Sequence, residues 1–298
     1  MSVAAPYDGH RYVSPVVIQR FAGPADPSVP GFYSGAEIWV MEDDGSWLRR
    51  VRSAAARHLD HPTLRPDREH VVYSEFDDPS QYVHGNAILF EEHLYSGERK
   101  PLRTVPGGAI HHNTISPVDQ ALSYVVSGPH GHDQVAEVDG ALLTVENRRG
   151  GHQLIANGIS VPGGLLVQCE VVPRTCPRRI AVGIFEWSSR SFRPLTRTPA
   201  MHRRPAVSPR GTAIVWQSNE RAAVTDDIHI AAIDGSQHRL LTCGDAMDGH
   251  PWFARDGRSV FFESNRSGQW EIYKLDVESG AVMQLTSDPT YVSTRPRC

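Results

Sequence analysis

Three histidines (His61, His112, His250) and two arginines (Arg204, Arg295) hold one recurring place in this 298-residue chain. Each opens or nearly opens a stretch of the same kind: HPTLRPDREHVVYSE at His61, HNTISPVDQALSYVVS at His112, RPAVSPRGTAIVWQSN at Arg204, GHPWFARDGRSVFFES around His250, and RPRC at Arg295. The starts lie 51, 92, 46 and 45 residues apart. Because 92 is twice 46, one unit is hidden, and NGISVPGGLLVQCE from Asn157 fills its slot. Imidazoles brought together from such equivalent positions would hold a divalent metal, Mn or Zn. Interleaved guanidiniums would bind a carboxylate or phosphate bidentately.

Acid–base chemistry has its own candidates. SEFDDPSQYVHG (74–85) carries Tyr82 and His84, and SGPHGHDQ (127–134) carries His130 and His132. Histidine titrates nearest neutrality and tyrosine can donate a proton. Tyr82, His84 and His132, with Arg204 and Arg295, form the catalytic set. His61, His112 and His250 form the metal set. AGPADPSVPGFYSG (22–35) is a Pro- and Gly-rich insertion that would bring Phe32 and Tyr33 over the same place as a lid or a plain surface loop.

These residues converge only if the repeat folds as a ring. Each unit runs from a short Pro-containing strand through a turn (RPDR, SPVD, SPRG, ARDG) to an apolar strand such as AIVWQS or SVFFES. A third strand follows, as in AILFEEHL, IAVGIFEW, DIHIAAID and WEIYKLDV, then a polar fourth. Short β-rich runs bounded by Gly, Asp, Ser and Pro read as strands, and four per unit of about 45 residues make a propeller blade. The expected fold is all-β: a six-bladed β-propeller of four-stranded antiparallel blades in one domain, 1–298. Five inner strands begin at His61, His112, Asn157, Arg204 and His250. STRPRC supplies the sixth, and the N-terminal strands complete its blade, so that 12–52 and 293–298 share the closing blade. Closure removes free sheet edges. The starts of the inner strands would then meet the ends of the second strands (Glu75, Glu170, Gln217, Glu263) at one mouth, the top.

The stretch GHPWFARDGRSVFFESNRSGQWEIYKLDVESGAVMQLTSD resembles a TolB-type (PD40, WD40-like) propeller repeat. Propellers of that type serve as docking platforms, as partner domains of peptidases and, in some families, as enzymes. The oligogalacturonate-lyase type is similar in placing channel histidines round a metal at one mouth, with His, Tyr or Arg acting on a uronate. That resemblance implies β-elimination on a small carboxylate-bearing or sugar-like metabolite. It also implies seven blades, where this chain repeats for six.

Other chemistries are unsupported. A formal net charge of −4 argues against nucleic acid as a partner. No run of 18 apolar residues exists, and MSVAAPYDGHRYVSP lacks the plan of a signal peptide, so a cytoplasmic protein without membrane partners is expected. The four cysteines form no CxxC pair. There is no G-x-S-x-G elbow, no HExxH, and neither a P-loop nor a dinucleotide fingerprint, so no nucleotide cofactor is expected. The tryptophans read as core between blades, Trp252 included. Two functions follow: a metal-assisted lyase at the top mouth acting on a small acidic or carbohydrate-like molecule, or a non-catalytic propeller that binds a protein. In the second, the polar ring is only a water-lined channel.

Overall fold

The structure is a computed structural model that describes residues 2–4, 7, 9–22, 35–54, 57–77, 86–128, 131–147, 153–171 and 179–298. These form six antiparallel sheets. Five are four-stranded, with inner strands His58–Leu64, Ala109–Ile115, Gln153–Val161, His202–Val207 and Asp248–Phe253. The sixth is composite: Tyr291–Arg297 is innermost and pairs with Pro15–Ala22, followed by Glu37–Glu42 and Arg49–Ala54. The expected six-bladed ring and its shared closing blade are therefore present. The closing blade has one strand more than expected, because Ser2–Ala4 pairs along Arg49–Ala54 at its outer edge.

Apolar faces of neighbouring blades hold the ring together. One cluster runs across three consecutive blades, from Leu166 and Val182 through Trp216 and Ile228 to Phe262 and Tyr273. Trp252 is buried in the same cluster, with the Arg297 guanidinium carbon 4.4 Å from the centre of its ring. It also lines a cavity of about 310 Å³ at the turn-bearing end of the channel, beside Pro66, Pro117, Pro209 and Arg255. Cys169 is fully buried, and burial pushes its thiol up to about 12, the state of a small core residue.

The inner strands begin two to four residues before the expected starts, and this changes what the recurring position is. His61, His112, Asn157, Arg204, His250 and Arg295 lie within their strands, each in the left-handed region with φ between 44° and 54°. In every blade the pairing of first and second strands slips there, by a β-bulge at the recurring residue and the one after it. A bulge re-aims a side chain and leaves an amide out of the ladder. Proline has no amide to leave unpaired, which is why Pro62, Pro205, Pro251 and Pro296 follow four of the six. The other two blades carry Asn113 and Gly158 at this place. Asn113 spans the gap to the neighbouring blade, donating through Nδ2 to the carbonyls of His61 (2.7 Å) and Val72 (3.2 Å). The Gly158 amide donates to Gln134 Oε1 at 2.9 Å.

Candidate functional site

In three blades a polar side chain from the second strand secures the bulge of the next blade. The bulge amides of Arg204, His250 and Arg295 donate to Gln168 Oε1 (3.1 Å), Gln217 Oε1 (2.9 Å) and Glu263 Oε2 (2.9 Å). Gln168, Gln217 and Glu263 also line a top cavity of about 280 Å³ together with Arg204, His250 and Arg295. The ends of the second strands do reach the mouth, but with a correction. Glu75 is buried against Arg57 (2.6 Å) and Arg99 (2.5 Å), and Ser74 is the residue in register with Glu263. Successive side chains of a strand point to opposite faces, so a shift of one residue removes Glu75 from the channel. Gln168, not Glu170, holds the same place in its own blade.

Of the metal set, His61 and His112 come together, but among the described residues the three histidines do not gather their ligand atoms within 4.8 Å of one another. The rings of His61 and His112 lie 4.3 Å apart, centre to centre. His61 Nδ1 is 2.5 Å from Asp60 Oδ2, and His250 Nδ1 is 2.7 Å from Glu263 Oε1. Each carboxylate fixes the proton on Nδ1, which leaves Nε2 with a lone pair. Nε2 of His61 and Nε2 of His250 are buried and have no hydrogen-bond partner among the described residues. Burial holds His61 well below its ordinary pKa, and Arg204 and Arg297 add to this. His112 is depressed likewise by burial and by His61, His111, Arg204 and His250. His250 falls to about 4: burial lowers it and Glu263 partly offsets this. All three imidazoles are therefore neutral near pH 7, the form that ligates a metal or accepts a proton.

The arginines divide their roles. Arg295 is buried, donating to Gln19 Oε1 at 2.8 Å and contacting Asp60, so it serves as an internal counter-ion. Arg204 donates to Asn157 Oδ1 at 3.0 Å, and among the described residues no carboxylate lies within ion-pair distance of it. It stays available to an anion entering the cavity. Arg297, absent from the sequence-derived set, adds a third guanidinium beside these two. Burial and the positive neighbours Arg204 and Arg295 push its pKa down to about 9.

His132 stands in the strand Gly131–Val138 and not in a loop. Its Nδ1 is 2.6 Å from Ser127 Oγ, which contacts His111 Nε2, and His111 Nδ1 meets His112 Nδ1. A line of hydrogen-bonding groups thus leads from His132 to the channel. Tyr82, His84, His130, Phe32 and Tyr33 lie outside the described residues. Asp60 and Arg297 were missed by the sequence reading although each adjoins a recurring motif. A carboxylate directly before His61 was the available signal for the first.

Residues 177–297 match the family model described as TolB beta propeller domain (PD40). An uncharacterized protein of Agrobacterium fabrum is 33% identical over 60 residues, 20% of this chain and 20% of that protein. Among solved structures, TolB from Acinetobacter baumannii is 14% identical with a TM-score of 0.73, over 95% of this chain and 66% of that one. Oligogalacturonate lyase in complex with manganese is 13% identical with a TM-score of 0.51, over 82% of this chain and 72% of that one. The chain spans a fifth of the Agrobacterium protein and about two thirds of that TolB. At these identities the structural likeness is one of fold: this is a TolB-like six-bladed propeller with lyase-type propellers also among its structural neighbours.

Proposed function

We propose that the top mouth is the active site of a lyase-type enzyme acting on a small carboxylate-bearing or sugar-like metabolite. One observation carries the reading: two buried imidazole Nε2 atoms, on His61 and His250, are each backed by a carboxylate on Nδ1 and have no partner among the described residues. A water-lined channel has no need of that arrangement, whereas ligation or proton transfer requires it. To hold a divalent ion, Mn or Zn, His61, His112 and His250 would have to draw their ligand atoms closer than they stand among the described residues. When bound, the ion would supply Lewis-acid stabilisation of negative charge developing beside the substrate carboxylate.

The chain's own residues supply the rest. Arg204 takes the carboxylate, and Arg295 with Asp60 keeps the floor of the site charged but balanced. In a β-elimination the proton leaves the carbon next to the carboxylate. Its electron pair forms the double bond as the β carbon–oxygen bond breaks, and the departing oxygen takes up a proton. His132, Tyr82 and His84 are the groups assigned to move these protons.

The test is a panel of uronates and other small acids incubated with the untagged protein, with and without added Mn or Zn. The reading requires formation of an unsaturated product, with kcat lowered at least about 100-fold in His61→Ala and His250→Ala. It also requires metal retained by the wild type and lost from both variants. A metal-free wild type that turns over nothing in the panel overturns it. The greater likeness to TolB, 0.73 against 0.51 in TM-score, favours a second reading, a non-catalytic propeller that docks a protein. That reading expects channel His→Ala variants to leave partner binding intact.

A further inference from the structure

Away from the channel, the blade carrying Arg204 brings together a carboxylate and two imidazoles. Glu220 lies towards the end of its second strand (Ala213–Ala222), His229 within its third (Thr225–Ala232), and His238 immediately before its outer strand (Arg239–Leu240). The spacing is nine residues twice over, one step per strand of an antiparallel meander. Each residue offers one ligand atom, and the three atoms lie within 4.8 Å of one another. We propose that Glu220, His229 and His238 form a second metal site, one that takes a zinc-like divalent cation and keeps a coordination position open to the adjoining groove.

The geometry supports this in three ways. First, His229 Nδ1 and His238 Nε2 face each other at 2.8 Å. One ring must donate in a simple His–His hydrogen bond, whereas an ion between the two nitrogens takes a lone pair from each. Ligand atoms about 2 Å from a shared ion sit roughly 3.3 Å apart in a tetrahedral site, so only a small rearrangement is needed. Second, the rings are held from behind. Trp216 stacks on His229, with centres 5.5 Å apart and planes 20° off parallel. The indole N–H donates to His202 Nδ1 at 3.2 Å, and His202 Nε2 faces Thr198 Oγ1 at 2.9 Å. Third, the site opens on a groove of about 490 Å³ whose walls include Trp216, Glu220, His238 and the preceding blade's Leu195–Thr198 segment. Two nitrogens and one carboxylate oxygen with an open fourth position are the donor set of a reactive rather than a sealed zinc site.

Zinc titration of the chelator-stripped, untagged protein tests the proposal, with binding followed by calorimetry and by the absorption of cobalt in place of zinc. Glu220 and His238 are exposed, so Glu220→Gln and His238→Gln retain the fold where His229→Ala could collapse it. The expected result is one zinc equivalent bound at this site. It is held at least 10-fold more weakly in both variants and undiminished in the channel variants His61→Ala and His250→Ala. The proposal is overturned if no zinc is taken up, or if uptake is lost only in the channel variants. The second outcome would leave the channel reading standing, and loss confined to Glu220→Gln and His238→Gln would leave this one standing alone.

Discussion

Glu263 joins two blades through one carboxylate: Oε1 lies 2.7 Å from His250 Nδ1 in its own blade, and Oε2 accepts the Arg295 bulge amide of the next at 2.9 Å. Burial raises the carboxyl's pKa, but His250, the Arg295 amide and Arg204 outweigh this and hold it below the ordinary range. Glu263→Gln retains one acceptor oxygen and turns a donor towards the other partner. A loss of about 2 kcal/mol is expected, within the range for breaking buried charged hydrogen bonds. Urea unfolding would measure it. A second readout separates electrostatics from packing: with the Glu263 charge gone, His250 becomes harder still to protonate, and its proton-NMR titration shifts to lower pH.

The buried imidazoles also set an acid limit on stability. His250 has an ordinary pKa of 6.5 and a folded value of about 4, so the unfolded chain takes up this proton first as pH falls. Its contribution is full above about pH 6.5 and is lost progressively towards pH 4, about 3 kcal/mol in all. His61 and His112 are displaced in the same direction. Glu263, with its folded pKa depressed, loses its contribution lower still, as pH falls through its folded value. The urea midpoint of chelator-treated protein should therefore drop from pH 7 to pH 5, and less steeply in His250→Gln. A flat profile would mean that these rings are not buried in solution.

Much of this was legible because proline marks the strands. His61-Pro62, Arg204-Pro205, His250-Pro251 and Arg295-Pro296 announce four blades, and arithmetic places Asn157 even though Gly158 replaces the proline there. The bulge was not legible: one extra residue in one strand leaves no periodic trace, so the recurring position read as a strand start. Pleat phase was equally hidden, which is why Glu75 stood in for Ser74. The Glu220, His229 and His238 cluster escaped for a related reason. Its nine-residue steps match neither the period of a strand nor that of a helix, and they converge only once three strands lie side by side.

The left-handed backbone at the recurring position can be tested without its side chain. Arg204→Ala and Arg204→Gly both remove the guanidinium and its bond to Asn157, and they differ only in Cβ. At φ 53° a Cβ crowds the following carbonyl, at a cost of about 1–2 kcal/mol, against which glycine loses roughly 0.5–1 kcal/mol of chain entropy. Glycine should be the more stable of the two by about 0.5–1 kcal/mol, the reverse of the usual order within a strand. The difference between their urea midpoints decides it, and alanine above glycine would deny the left-handed conformation.

Ring closure gives the largest expected effect. Tyr291–Arg297 pairs along Pro15–Ala22 from Ala22↔Tyr291 to Val17↔Arg297, across the bulge at Arg295, and Val16, Val17, Ile18, Gln19, Arg20 and Phe21 are all nearly or fully buried. Removal of residues 291–298 would bare a long apolar strand edge and the Asp60 carboxylate that Arg295 neutralises. The truncated chain should aggregate, or unfold without a cooperative transition. A synthetic peptide of residues 289–298 supplied in trans should restore soluble, cooperatively unfolding protein. Arg295→Met in that peptide separates the two causes: it still covers the edge but takes the guanidinium away from Asp60, so rescue should be partial. A truncated protein that stays monomeric, with its urea midpoint unchanged, would show that the shared blade does not hold the ring closed.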